Sequence, residues 1–452
     1  MTRDKLRIGA YVLAKNAKQT YAVECFDVRL NAGLAVCRDI LARAGFTSFG
    51  FASSATVTDY DVIMFSVTSD CDWWSFIAER STWPSGSYKV VVGGQGVLNV
   101  RPFLSVADYL MLGRAEGEME KLFVALANGD EYESASVVRA RTFSLDKQYR
   151  IAQVDDRYPH AITLPNGDRY REDVIGCNHK CLFCGYTWHR KHAGSDAFSY
   201  EGLWGGGVDR ERAIIDMHNG VPVDFNKLRT TAIDGLSERI RVAVNKRITR
   251  DMLRAFLERL FNCEHPHQVK VYNIVGYPTE TEDDWREFLD DVRTVDETFA
   301  ARRDKQTCLL LHSTPFRAMP ATPLACAPMS LRNYRGEIAR VLGGGRYKGN
   351  IFYQGRAAWC VESMGTESLS TVALSAIVWR GTEADADNVV KLARARKFWQ
   401  ASGPVRLATL EKYFDLPRLF GAFTPETLPT RNIGTYCAVE KMWCRTKLEA
   451  AT

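Results

Sequence analysis

At 452 residues the chain exceeds what one hydrophobic core normally spans, so two or three domains are expected. Hydrophobic residues at 46% and charged residues at 25% exclude a fibrous or disordered chain, and 59 basic against 54 acidic residues, a net charge of +5, is too small an excess to indicate a polyanion partner by itself. No run approaches the roughly 20 apolar residues of a membrane span, and Met1-Thr2-Arg3-Asp4-Lys5 leads into a strand-like run instead of a signal-peptide core, so a soluble, cytoplasmic protein is expected. Twelve cysteines, three of them within eight residues, fit a reducing compartment with a metal site better than a disulfide scaffold.

Leu6 to Leu13 reads as a first strand, and Leu30 to Ala44 carries helical apolar spacing that stops at Gly45, a natural left-handed helix end. Strands at Val62 to Val67, Lys89 to Gly94 and near Asp108 to Leu112 alternate with helices, which implies an α/β fold with a doubly wound parallel sheet over residues 1–135. The polar stretch from Glu131 to Asp156 lacks apolar periodicity, and 136–168 is read as a linker. A second alternating pattern fills 169–345: Ala213 to Met217 as a strand, Thr249 to Leu260 as a helix, Gln268 to Val275 as a strand, Glu282 to Val292 as a helix and Cys308 to His312 as a strand. Gly343-Gly344-Gly345 marks a turn or hinge, and 346–452 forms an α+β C-terminal extension, rich in aromatics, that is the natural substrate lid.

The decisive motif is Gly176-Cys177-Asn178-His179-Lys180-Cys181-Leu182-Phe183-Cys184-Gly185, which sets three thiols at Cys-x3-Cys-x2-Cys spacing, close enough for one loop to wrap a cuboidal iron-sulfur cluster. Zinc is the alternative, but it takes four ligands, and His179, His189 and His192 would complete an irregular set. The spacing, with an aromatic residue before the third cysteine, resembles the signature of the radical S-adenosylmethionine superfamily. That resemblance implies a Rossmann-type first domain followed by a partial (β/α) barrel, with Cys177, Cys181 and Cys184 each holding one iron of a 4Fe-4S cluster. It also implies S-adenosylmethionine on the fourth iron, cleaved with one electron from an external reductant to a 5′-deoxyadenosyl radical that abstracts substrate hydrogen.

The same resemblance places Phe183 near the adenine and lets Gly185 turn the backbone tightly around the cluster. Thr231-Ala232-Ile233-Asp234-Gly235-Leu236-Ser237-Glu238-Arg239 lies where related barrels meet the ribose and carboxylate of the cofactor, so Asp234, Ser237 and Arg239 are cofactor candidates, although Asp234 or Ser237 also suits a helix N-cap. Val271-Tyr272-Asn273-Ile274-Val275-Gly276-Tyr277-Pro278-Thr279-Glu280-Thr281-Glu282 resembles the strand and turn of barrels paired with cobalamin-type domains. There Gly276 would let the adenosyl group approach, and Thr279 or Thr281 would cap the next helix. Gly205-Gly206-Gly207 reads as a connection or as a wall near the methionine end of the cofactor.

The N-terminal pattern, through Val90-Val91-Val92-Gly93-Gly94-Gln95, Ala107-Asp108-Tyr109 and Gly113-Arg114-Ala115-Glu116-Gly117-Glu118, resembles the cobalamin-binding domain that precedes many such barrels. Its Asp-x-His-x-x-Gly signature is missing, and the first histidine of the chain is His160, so cobalamin either binds without that ligand or does not bind.

For the substrate, Trp359, Trp379 and Tyr353 are candidates for ring stacking, and Trp188 to His192 with Arg239, Arg241, Lys246, Arg247 and Arg250 for phosphate binding, against packing and solvated or ion-paired surface as the plain alternatives. The arrangement also resembles, at the level of architecture, radical isomerases encoded by bacteriophages that remodel glycyl-modified thymidine in DNA, which would place the protein in a host cytoplasm. The alternatives are a cobalamin-dependent methylase of a small molecule or peptide, and a non-catalytic iron-sulfur nucleic-acid-binding protein. Cys308, Cys326 and Cys360 are given no role.

Overall fold

The computed structural model describes residues 2–11, 28–67, 70–153, 161–163, 169–171, 174–175, 177, 179–189, 193–194, 200–201, 208–209, 212–263, 268–299, 308–330, 332, 334, 337, 341, 351–354, 360–363 and 369–433. The fold is mixed α/β, built on two largely parallel sheets.

The first sheet comprises β1 (Ile8–Tyr11), β2 (Phe49–Ala52), β3 (Val62–Ser66), β4 (Lys89–Gly93), β5 (Tyr109–Met111) and β6 (Val137–Arg139), with α1 (Val28–Arg43), α2 (Asp70–Arg80) and α3 (Met119–Asn128) between them. The strand order is β2-β1-β3-β4-β5-β6, with every pairing parallel except β5 with β6. The order reverses between β1 and β3, the place where open sheets of this kind leave a crevice at their carboxyl ends. Strand β6 lies inside the stretch read as a linker: Val137 and Val138 are buried, and their short alternation was masked by the polar residues around them.

Period-two alternation explains why both faces of this sheet are apolar. Val62, Met64 and Val91 pack under α1 and α3, while Ile63, Phe65, Val90 and Val92 face the other way, toward α2. Between β4 and β5 the chain makes only short 3-10 turns, Gln95–Leu98 and Arg101–Phe103, so no helix of the domain's own covers that half of the second face. Helices from the far end of the chain do. Those helices are α9 (Leu369–Arg380), α10 (Glu383–Ala393), α11 (Arg396–Gln400), α12 (Gly403–Tyr413) and α13 (Leu416–Phe420), if the five helices between α3 and α9 are counted in chain order as α4 to α8. Asn99 Nδ2 donates to the carbonyls of Val378 (2.9 Å) and Gly381 (3.0 Å), and Trp74 packs against Phe398 and Trp399.

The C-terminal helices therefore complete the first domain's core, and α9, buried on all sides from Val372 to Arg380, is its centre. Trp379, read as a stacking candidate, is a core residue, 5% exposed. Trp359 and the side chain of Tyr353 lie outside the described residues.

The second sheet has the order β11 (Tyr200–Glu201), β12 (Val208–Asp209), β13 (Leu228–Ala232), β14 (Gln268–Val275), β15 (Cys308–Pro315), β17 (Cys360–Ser363), β16 (Ile351–Gln354), counting three short strands at 161–163, 169–171 and 174–175 as β7 to β9 and Ala193–Gly194 as β10. It is parallel from β12 to β17 with an antiparallel strand at each edge. Two of its strands thus come from beyond residue 345.

Helices α5 (Ala213–His218), α7 (Arg250–Phe261) and α8 (Glu282–Phe299) cover one face, where Val269, Val271, Leu309 and Leu311 meet Leu253, Phe256, Trp285 and Phe288. Ala213 to Met217 is helical where a strand was expected; Ala213, Ile214, Ile215 and Asp216 are all buried, and a short apolar run of this length does not separate the two states by pattern. Among the described residues no helix is long and apolar enough to cross a membrane.

Candidate active site at the cluster loop

The loop from Cys177 leads into the short helix α4 (Gly185–Trp188) and sits against segments that follow the carboxyl ends of β13, β14 and β15, the end at which parallel α/β sheets carry their chemistry. Five hydrogen bonds among the described residues fix it. The amide of Leu182 donates to Val244 O at 2.9 Å, and its carbonyl accepts from Leu324 N at 3.3 Å. Asn245 Nδ2 donates to the carbonyls of His179 (3.2 Å) and Lys180 (2.9 Å), and Trp188 Nε1 to Cys181 O (2.9 Å). Lys180 and Asn245 both take left-handed backbone, at φ 55° and 59°, so both strands of this clasp turn sharply.

Cys181 is buried, and Cys177 and Cys184 are half-buried. Burial pushes the Cys181 thiol up to about 12; the Lys246 cation opposes the shift, while Asp234, Cys184 and Cys177 add to it. Burial raises Cys184 as well, against the Thr187 amide that favours its anion. A free thiolate is thus disfavoured at Cys181 and Cys184, and ligation to a metal is a chemistry that would deprotonate both. Among the described residues no His, Cys, Asp or Glu trio is closed up as a single-ion site. The donor set, three thiols on one loop near enough to act on one another, fits a cluster with one iron left for another ligand.

Of the residues read from sequence as cofactor-binding, Asp234 and Phe183 lie at this loop. Asp234 follows β13 at φ 52° and pairs through Oδ2 with Lys246 Nζ at 2.7 Å, in a site where the two side chains are 15% and 9% exposed. Tyr277 Oη donates to Asp234 O at 3.0 Å, and the Tyr277 ring lies between those of Phe183 (6.1 Å) and Phe316 (5.1 Å). Burial, then Asp234 and Cys181, hold the Tyr277 phenol well above its usual range. Lys246, Asn245 and Tyr277 escaped the sequence reading of the site; the only signal for the first two was their place just after a short helix.

Gly185 does mark a close approach, but of protein: a Cβ there would lie 2.7 Å from Gln95 Nε2 of the first domain and 2.7 Å from the His189 ring. His189 is buried, and its Nε2 meets Pro320 O at 2.7 Å, so that nitrogen carries the proton. Gly276, at φ 82°, also meets a side chain, since its Cβ would fall 2.6 Å from the Tyr334 ring. Ser237 and Arg239 both have described partners at the start of α8. Ser237 caps α6 (Glu238–Ala243) and donates to Asp284 Oδ1 at 2.5 Å, while Arg239 pairs with Asp284 and donates to Thr279 O. Asp284 in turn accepts from Thr281 N and Oγ1 at the start of α8, so Thr281 stands at that cap.

The basic group read as a phosphate site is mostly committed inside the protein. Arg241, fully buried, donates to the carbonyls of Gly235, Leu236 and Ile248; Arg250 pairs with Asp291; Lys246 pairs with Asp234. Gly205 to Gly207, Arg190, Lys191 and His192 lie outside the described residues. Cys326 is buried in the core, and Cys308 and Cys360 are register partners across β15 and β17.

Glu280, in the turn after β14, accepts from Gly276 N, and burial raises its carboxyl to about 8. Its folded value lies above the ordinary 4.5, so the native state holds a proton that the unfolded chain has released between those two values. The stability of the wild type relative to Glu280→Gln should be greatest below pH 4.5, fall as pH rises through 8, and level off above it, by an amount on the order of a few kcal/mol. Urea melts of both proteins from pH 5 to 9 measure this; a constant difference would mean the carboxyl is ionised throughout.

A cavity of about 350 Å³ opens between the carboxyl ends of β3, β4 and β5 and the cluster-loop helix, lined by Ser66, Gly93, Gly94, Gly113, the Arg114–Glu116 ion pair (2.6 Å), Tyr186 and His189 among others. It joins the first domain to the cluster loop.

No family model and no curated protein matches the sequence. Two solved structures of the cobalamin-dependent S-adenosylmethionine radical enzyme OxsB align with it: one with aqua-cobalamin and S-adenosylmethionine bound, at 9% identity and a TM-score of 0.25, and one with aqua-cobalamin alone, at 10% and 0.24. Each alignment covers 99% of this chain and 62% of the other, so the chain spans less than two thirds of their length. At that degree of likeness the functional reading rests on the site's own residues.

Proposed function

We propose that the chain is a radical S-adenosylmethionine enzyme. What supports this reading is the place of Cys177, Cys181 and Cys184 on one clasped loop against the segments that follow the carboxyl ends of the parallel strands β13 to β15, with the Asp234–Lys246 ion pair and Tyr277 on those same segments. When bound, a 4Fe-4S cluster and S-adenosylmethionine supply one-electron cleavage of the sulfonium and a primary carbon radical. The chain's own part would be to ligate three irons through the cysteines, shield the site with Phe183 and Phe316, and offer the Asp234–Lys246 pair as charged groups close to the loop. Its reductant is a one-electron donor.

For the specific reaction, corrinoid-dependent methylation of a small molecule or peptide is favoured by the cavity that runs from the first sheet to the cluster loop. The usual cobalt-binding histidine signature is lacking from the sequence, and the one imidazole lining the cavity among the described residues, His189, donates through Nε2 to Pro320 O. Isomerisation of glycyl-modified thymidine drew on a basic surface and an aromatic lid; with Arg239, Arg241, Lys246 and Arg250 paired internally and Trp379 in the core, neither supports it. A nucleic-acid-binding iron-sulfur protein would need a fourth protein ligand.

Anaerobic reconstitution tests the reading. The wild type should bind about four irons per chain, show a reduced-cluster electron paramagnetic resonance signal, and change that signal when S-adenosylmethionine is added. A cluster indifferent to S-adenosylmethionine would favour a structural role, and reconstituted protein with bound corrinoid absorbance would favour the methylase.

A further inference from the structure

Asp234 and Lys246 form a nearly buried ion pair close to the cysteine loop, and the described hydrogen bonds that clasp the loop come from residues beside them. The clasp is made by their neighbours: Val244 O accepts from Leu182 N, and Asn245 Nδ2 donates to the His179 and Lys180 carbonyls. Asp234 is fixed separately, through its own carbonyl, by Tyr277 Oη at 3.0 Å. Each charge is therefore anchored by backbone that does not depend on its partner, and the two side chains meet at 2.7 Å with 9% and 15% exposure. Water screens such a pair poorly, so both charges act on whatever the thiols hold.

We propose that the Asp234–Lys246 pair sets the reduction potential of the cluster bound by Cys177, Cys181 and Cys184, with the lysine stabilising the reduced state and the aspartate offsetting it. The inference rests on the cluster reading above. Reduction adds one negative charge to the cluster, delivered by the external one-electron donor, and no bond of the protein is made or broken. A cation near that charge favours reduction and an anion disfavours it, and net local charge is one of the established levers on cluster potential. The two field contributions are also visible at the Cys181 thiol, where Lys246 and Asp234 act with opposite sign.

The test is a redox titration of reconstituted protein at pH 8, followed by the reduced-cluster resonance signal, with iron content measured on every sample. Asp234→Asn, which keeps a residue type that tolerates left-handed backbone, removes the carboxylate charge and should raise the reduced-to-oxidised ratio at fixed potential by about tenfold, equivalent to 59 mV for one electron. Lys246→Gln leaves the carboxylate unopposed and should lower the ratio by a similar factor, while Lys246→Arg should stay near wild type. Opposite shifts establish the pair as a positioning device for charge. Shifts of the same sign, or none, overturn it. Should Lys246→Gln hold no iron, the Asp234→Asn result decides alone, since a merely structural aspartate gives no upward shift. A wild type without any reducible cluster would instead overturn the reading of the site itself.

Discussion

Cys181→Ala should reduce the iron bound after reconstitution to near background and abolish the reduced-cluster signal, the largest effect expected of any single substitution. Cys181 is the most enclosed of the three thiols, and its carbonyl accepts from both Cys184 N (3.2 Å) and Trp188 Nε1 (2.9 Å), so the loop's own turn is built around it. Alanine keeps those main-chain bonds, which makes loss of the ligand, not of the loop, the cause of the effect. Circular dichroism and a cluster-free urea melt should accordingly match wild type. Iron retained near wild-type level would mean that another group ligates in place of Cys181.

The second large effect is on stability. Arg380, at the end of α9, is fully buried, and burial lowers its guanidinium to about 9. It donates through Nη1 to Leu419 O (3.1 Å) and Gly421 O (2.9 Å), and through Nη2 to Ala325 O (3.1 Å) and Ala327 O. No carboxylate is among these partners, so the cation is held entirely by main-chain dipoles and by the face of Phe423, 4.9 Å away. Arg380→Leu would strand four buried carbonyls, each costing roughly 1–3 kcal/mol, and a loss of at least about 4 kcal/mol is expected in equilibrium unfolding. Two of these carbonyls, those of Ala325 and Ala327, lie just past Leu324, whose amide meets the cysteine loop at Leu182 O, so reduced cluster loading should accompany the loss. A change below about 1 kcal/mol would show that the carbonyls find other donors.

These two residues also mark what the sequence does and does not make legible. The cluster cysteines stand out because their chemistry demands a fixed local spacing, and the strands β3, β4, β14 and β15 stand out because apolar β-branched runs keep their character whatever surrounds them. Arg380 is invisible: nothing local distinguishes a buried arginine that caps distant carbonyls from one on a surface. The same holds for Lys246 and Tyr277, whose roles arise only when the ends of β13 and β14 are laid side by side. Ser237 and Arg239 show the complementary difficulty, since a helix cap and an ion pair with Asp284 use the same residue types as a cofactor site. The extension over 346–452 reads from sequence as a lid because something must close the substrate site, and local pattern does not reveal which of its helices pack elsewhere. Their place on the first sheet follows from the missing helix between β4 and β5, which leaves an apolar face that something must cover.

The central claim is radical cleavage of S-adenosylmethionine at the three-cysteine loop. The most direct measurement is mass-spectrometric detection of 5′-deoxyadenosine after anaerobic reconstitution and addition of dithionite and S-adenosylmethionine, in wild type and Cys181→Ala. Wild type should form 5′-deoxyadenosine and the variant should not. Equal yields from the two proteins, or none from a wild type with a fully loaded and reduced cluster across several reductants, would contradict the account and leave a structural iron-sulfur centre in its place.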